Sequence, residues 1–316
     1  SDIKINNSIN IFNVLTKIAI SRVNDSLDNL EKNNIQKIIG SYIIGGSPKP
    51  IGRILNYFYQ KNKKKAFRFS HGGDRLFFKD KHWLFSELIY VNEYYCHSSY
   101  ESIIQNKKFK LEKEKYPMLS NLKFKSKGSK KHKKIWQMHN FKRKINKKRR
   151  ILILAGSFLG ERQMGASRFK IPDVIALEFL LYLYNIINEL NYEVFVKPHP
   201  KGICKNILID KFKNIKLYDD DFLNPKKSDF DCFIFEFAGS AFYDSLLTNK
   251  GIILCDNDIR PWFKKSKKIL SNRCQIIQTS QNQKNWLRVN KLEFKNKLNM
   301  ACEYKITNTQ FSKLLY

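Results

Sequence analysis

The stretch EVFVKPHPKG, residues 193–202, decides the fold. Its apolar strand, 194–196, runs into two prolines that bracket a histidine, in the order Lys197, Pro198, His199, Pro200. Proline has a fixed φ and no N–H, and it drives the residue before it out of the α region. The strand therefore ends in stiff backbone that presents an ammonium and an imidazole together. Ligands of open α/β sheets bind in the crevice beyond the carboxyl ends of the strands. A lysine and a histidine held there suit an anion, a phosphate first of all. Taken alone the tetrapeptide also reads as a solvated turn; its surroundings favour the site.

Outward from this bend, apolar β-branched runs alternate with helical periodicity. Strands are expected at 151–154, 192–196, 215–218, 232–235 and 251–255, and helices at 174–190, 207–212, 240–248 and 292–304. That alternation is the pattern of a doubly wound parallel sheet. Before residue 120 the same alternation recurs. A helical period covers 11–23, a strand at 38–44 ends in Gly45-Gly46-Ser47-Pro48, and a helix follows at 51–59. A strand at 66–69 then stops at Ser70-His71-Gly72-Gly73-Asp74, and mixed helix or strand segments follow at 86–91, 93–97 and 100–105. The expectation is an α/β chain of two Rossmann-like doubly wound domains, 1–121 and 151–316. Between them, residues 122–150 carry many cations and no acidic residue, and are expected to form a solvated basic linker. The sharper alternative for this linker is a contact with an anionic membrane, with Trp136 and Phe141 as interfacial side chains. The chain opens at Ser1 rather than Met, which is expected of a longer protein whose first domain is cut short.

Composition narrows the class. At 316 residues and 42% hydrophobic residues the chain builds real cores and is not a disordered protein. No apolar run reaches the length that spans a bilayer. The six cysteines form no CxxC pair and no zinc spacing, so reduced thiols in the cytoplasm are expected. A peripheral position on the inner face of the membrane is compatible with the charge. Lys+Arg number 59 against 28 Asp+Glu, a formal charge of +31. Part of that excess accompanies abundant Asn and Ile and looks like the coding bias of an AT-rich genome; the rest favours anionic partners.

Three loops of the second region converge if its sheet is parallel. The first, GSFLGERQMGAS, begins at Gly156 and Ser157 and matches neither the dinucleotide fingerprint nor the Walker A loop. The second is the KPHP bend. The third, EFAGSAFYDS, turns from strand to helix at Gly239 and Ser240. Ser240 is expected to cap that helix, with Asp244 in its first turn. Asp219-Asp220-Asp221 is expected to be a solvated turn rather than a cation site.

KPHP, followed by CFIFEFAGSAFYDSLLTNKGIILCD, resembles the C-terminal domain of bacterial GT-B glycosyltransferases, above all those using CMP-activated acidic sugars such as sialyltransferases and Kdo transferases. HGGD followed by Glu87 is similar to the HGG segment of surface-carbohydrate transferases with this C-terminal pattern, although HGGxYG stands here as HGGDRL. The resemblance covers roughly residues 65–100 and 150–256. It implies a cytidine-nucleotide sugar donor and a glycan or glycolipid acceptor, with no cofactor and no metal. It implies that His199, Pro200 and Ser240 hold the nucleotide; Gly239 and Ala241 stand where a second Ser or Thr is usual. Lys197 or Arg168 would offset phosphate charge, Arg162 less so. A base facing this clamp would come from the first region, with His71, Asp74 and Glu87 as candidates. Two alternatives stay open. One is a CDP-glycerol-type polyol-phosphate transferase, whose family carries a KPHP-like element. The other is a non-catalytic basic protein for nucleic acid or membrane, against which stands the lack of any nucleic-acid module.

Overall fold

The structure, a computed structural model, describes residues 42–45, 50–70, 74–79, 81–139, 148–158, 171–200, 204–212 and 214–303, with isolated helical positions between 17 and 28. Two compact units make up the chain. One comprises residues 1–70 and 81–127, the other 71–80 and 128–316.

The first unit holds a four-stranded parallel sheet whose strands follow chain order, β1 (Tyr42–Gly45), β2 (Lys65–Phe69), β3 (Glu93–Cys96) and β4 (Lys123–Ser126). Helix α1 (Pro50–Lys61) connects β1 to β2. Helix α2 (His82–Glu87) precedes β3, and α3 (Ser99–Lys108) and α4 (Lys110–Lys115) lead to β4. Trp83 anchors the core, with its ring 5.5 Å from Tyr94 and 5.4 Å from Phe109. Leu84, Leu88, Leu119, Leu122 and Phe124 close around it. At the start of α3, Ser98 accepts from the Glu101 N–H, and the buried Glu101 carboxylate accepts from the His97 N–H at 2.8 Å. This is a capping arrangement that satisfies free donors at the helix start.

The second unit is a five-stranded, wholly parallel sheet in the order β6-β5-β7-β8-β9. Its strands are β5 (Arg150–Leu154), β6 (Glu193–Lys197), β7 (Cys232–Phe235), β8 (Gly251–Asp256) and β9 (Gln275–Gln278). Leu217 adds a single parallel bridge to Val196 beyond β6. Both faces are covered, which is why β7 and β8 are continuous apolar runs rather than alternating ones. On one face α6 (Asp173–Glu189), α7 (Cys204–Lys211) and the final helix, α10 (Lys291–Glu303), pack on Ile151, Ile153, Ile234 and Ile253. Helix α6 ends where Asn191 takes a positive φ of 59°, a conformation asparagine tolerates. Gly251 lets the backbone of α10 come close: a Cβ there would sit 2.1 Å from the Ala301 carbonyl oxygen. The remaining helices are α5 (Lys130–Met138), α8 (Ser240–Ser245) and α9 (Lys264–Ser271).

Residues 122–150 differ from a plain solvated connection. Lys123–Ser126 is the edge strand β4, and Lys130–Met138 is a helix of the second unit. The cause is amphipathicity within the cationic run: His132, Ile135 and His139 lie on one helical face and are buried, while Lys130, Lys133 and Lys134 are exposed. Trp136 is half-buried, and Phe141 lies outside the described residues. The short elements α9 and β9 had no counterpart in the sequence reading.

Candidate functional site

The strand order places the switch point of the sheet between β5 and β7. The chain leaves β5 towards β6 on one side, and β7, β8 and β9 extend on the other. Ligands of doubly wound sheets bind outside the carboxyl ends at such a point. Register sharpens this. Leu154, the last residue of β5, is paired with Lys197 of β6 and with Phe235 of β7. The Ala155-Gly156-Ser157 turn, the Pro198-His199-Pro200 bend and the segment 236–240 therefore leave the sheet side by side.

Each sequence-predicted residue has a distinct setting. Gly156 and Ser157 follow β5 and are partly exposed. His199 is partly exposed and Pro200 exposed at the end of β6. Lys197 is committed to the fold: its Nζ donates to the carbonyls of Asp219 (3.2 Å) and Asp220 (2.7 Å), and it lies 5.6 Å from the Tyr218 ring centre. Burial lowers its pKa. The expected acid-rich turn is a turn: Asp219 and Asp220 pair with Lys205 and Lys227 at the surface, and Asp221 accepts from the Leu223 N–H. Among the described residues no cluster of metal-ligating side chains occurs.

The cap of α8 is shifted by one residue. Gly239, with extended backbone, occupies the cap position and Ser240 is the first helical residue, its hydroxyl uninvolved in capping and its side chain exposed. Asp244 is buried. It accepts from Lys131 Nζ and faces His132 Nε2 at 3.1 Å, so it fastens α5 to α8. Arg273 is buried beyond the other end of α8 and donates to the carbonyls of Leu246, Thr248 and Lys250. These contacts fix the segment that leaves β7.

The acceptor-side candidates separate. Glu87 is held inside the first unit: its Oε2 accepts from Arg68 Nη2 at 3.3 Å, and both side chains are nearly inaccessible. Asp74 opens a 3₁₀ turn, Asp74–Leu76, that leads into residues packed on the second unit. There the Phe77 ring lies 4.9 Å from Tyr243, Phe78 forms a β-bridge to Trp262, and Ser266 donates to the Leu76 carbonyl. A segment that precedes β3 in the chain thus completes the second unit, which no local pattern discloses. His71, like Arg162 and Arg168, lies outside the described residues.

Against solved structures, the S. aureus MnaA–UDP co-structure aligns over 93% of this chain and 72% of its own, with a TM-score of 0.51 and 11% identity. The fold is GT-B. Methanocaldococcus jannaschii UDP-GlcNAc 2-epimerase, in complex with UDP-GlcNAc and UDP, aligns over 92% and 78% at TM-score 0.49 and 10% identity. Acinetobacter baumannii MurG aligns over 93% and 72% at TM-score 0.45 and 10% identity. Those two likenesses are too loose to bear on the fold, and at such identities none bears on activity. No protein-family model and no curated protein sequence matches the chain.

Within this GT-B chain the sequence reading missed Glu236. It continues β7 at the switch point, is buried, and receives a backbone hydrogen bond from Gly156. Its Oε2 is the oxygen on the Gly156 side, and its Oε1 has no hydrogen-bond partner. Burial drives its pKa up to about 8. A signal was present: Cys232, Ile234 and Glu236 share one face of the strand, so a carboxylate occupies a position whose neighbours are core. Glu236 lines a recess with Phe78, Cys255, Asp256, Arg260 and Trp262. Arg260 is buried there, its guanidinium 3.8 Å from the Phe78 ring centre. No helix among the described residues is long and apolar enough to cross a membrane.

Proposed function

We propose that this chain is a glycosyltransferase that moves an acidic sugar, a nonulosonic acid or Kdo, from a CMP-activated donor to a surface glycan or glycolipid. One observation carries the reading: the loops after β5, β6 and β7 stand abreast at the switch point because Leu154, Lys197 and Phe235 share one register. His199, held between two prolines, donates to the nucleotide phosphate. Gly156, Ser157, Gly239 and Ser240 are small enough to let their backbone approach it. Lys197 acts at one remove, pinning the 219–220 loop against the bend. Arg168 stays in this reading, on the sequence alone, as a counter-charge. His71 and Asp74 remain the candidate bases for the acceptor hydroxyl. Glu87 serves the fold through Arg68.

The test is a thermal-shift series with CMP, CDP, UDP and GDP on the full chain. A ligand at a hundredfold excess over its Kd stabilises the native state by about 2.7 kcal/mol. CMP and CDP are expected to raise the melting temperature, UDP and GDP to leave it unchanged. A shift with UDP alone rules out the cytidine assignment. Both transfers leave CMP, so a markedly larger shift with CDP than with CMP favours polyol-phosphate transfer, whose donor carries two phosphates. No shift with any nucleotide removes the donor site itself.

A further inference from the structure

We propose that Glu236 is a protonated hydrogen-bond donor to the phosphate of the bound nucleotide, so that nucleotide affinity is switched off by alkaline pH. This rests on the donor-site reading above. The geometry begins with the two carboxyl oxygens. The Glu236 carboxyl takes a backbone hydrogen bond from Gly156, Oε2 is the oxygen on the Gly156 side and Oε1 has no partner, so Oε2 is the carbonyl-like oxygen. In a neutral carboxyl the proton then resides on Oε1, and a buried O–H without an acceptor is costly. The phosphate expected at the switch point supplies that acceptor. The diester phosphate of an activated sugar, like the fully ionised phosphate of CMP, carries no proton and only accepts, so it is matched by the protonated form and repelled by the carboxylate; a ligand hydroxyl is served as well or better by the carboxylate.

The surroundings keep the group neutral. Burial dominates, and the Gly156 hydrogen bond opposes it only in part, leaving the pKa at about 8. The groups that face Glu236 do not compete in that range. The Cys204 thiol of α7 is pushed up to about 12 by burial, with Glu236 and Asp173 of α6 adding to the shift. The Cys255 thiol of β8 is pushed higher still by burial, with Glu236 and Asp256 contributing. Asp256 is engaged by Lys267 at 2.8 Å. Arg260 shares the recess as a permanent cation. At the neighbouring bend stand Lys197, its pKa lowered by burial, and His199. A neutral acid beside the phosphate path removes the repulsion that an ionised Glu236 would create.

The experiment is calorimetric titration of the full chain with CMP, inorganic sulfate (an acceptor-only dianion) and cytidine between about pH 7 and pH 9.5, on wild type, Glu236→Gln and Glu236→Ala. For wild type the CMP and sulfate affinities should be level up to about pH 7.5 and then fall, approaching tenfold per pH unit above about pH 8, while cytidine stays level. Glu236→Gln, whose amide still donates, should bind CMP within about threefold of wild type at pH 7 and lose the alkaline fall. Glu236→Ala should bind about tenfold or more weakly at every pH. If the Ala variant does not fold, the near-isosteric Gln variant carries the test. A level wild-type profile, or the same alkaline fall in Glu236→Gln (the result if Lys197 titrates instead), overturns the proposal. A UDP series at the same pH values separates the two readings: binding of UDP but not CMP, with the Glu236-dependent fall, refutes the cytidine donor and upholds Glu236. If neither nucleotide nor sulfate binds, both readings fail.

Discussion

Replacing Glu87 with Gln removes one half of a buried ion pair and separates a structural role from a catalytic one. Arg68 and Glu87 have side-chain exposures of 1% and 5%, and their charged atoms lie 3.3 Å apart. At an effective dielectric constant of about 20 that separation corresponds to an attraction of about 5 kcal/mol. Desolvation of both groups offsets much of it, so the pair is a modest net contributor. Removing one partner is different, because a guanidinium is left buried against an uncharged amide, and the usual cost is about 3–5 kcal/mol. Urea denaturation of Glu87→Gln should show a loss of about 3 kcal/mol or more in the first unit. The double variant Arg68→Met with Glu87→Leu, which leaves no charge behind, should recover most of it. A Gln variant that keeps its stability and loses transfer activity a hundredfold would refute this account and return Glu87 to the list of bases.

Gly251→Ala should destabilise the second unit by about 1–3 kcal/mol, measured by thermal or urea unfolding, because the new methyl meets the backbone of α10 rather than a side chain that yields. Glu236 should make stability fall as pH rises. Its pKa is raised from 4.5 to about 8 on folding, so the folded state holds the extra proton between those values, and the loss across that window is on the order of 4 kcal/mol. Unfolding curves at pH 5 and pH 9 should show this for wild type and not for Glu236→Gln; equal slopes would mean that Glu236 is not held neutral. Charge reversal of Lys130, Lys133 and Lys134, exposed on α5, should abolish salt-sensitive binding to anionic liposomes, with Lys131 left in place because it pairs with Asp244. Equal binding before and after reversal would make that face a solvated one.

What was legible in the sequence follows period and proline. The strand before Lys197 and the bend at Pro198 and Pro200 are local effects of φ and a missing N–H, and they stand where expected. The apolar runs of β7 and β8 disclosed a sheet buried on both faces. Strand order and register are tertiary, so the alignment of Leu154 with Lys197 and Phe235 was not readable. Charged residues in core positions gave signals that passed unread. Arg68 alternates with exposed positions of β2 and sits on its buried side, which required a carboxylate partner; that partner is Glu87. Glu236 continues the inward face of β7 in the same way. The return of residues 74–79 to the second unit has no local signature, since Phe77 and Phe78 find their partners, Tyr243 and Trp262, far along the chain. Helix α5 was hidden in a run of lysines because composition masked the spacing of His132, Ile135 and His139.

The central claim is that the crevice at the carboxyl ends of β5, β6 and β7 binds a nucleotide through its phosphate. Calorimetric titration of CMP into wild type and His199→Ala at pH 7 tests it most directly. Loss of a charge-assisted hydrogen bond of about 1–3 kcal/mol predicts a Kd about 5- to 150-fold weaker in the variant. A Kd equal to that of wild type would contradict the claim.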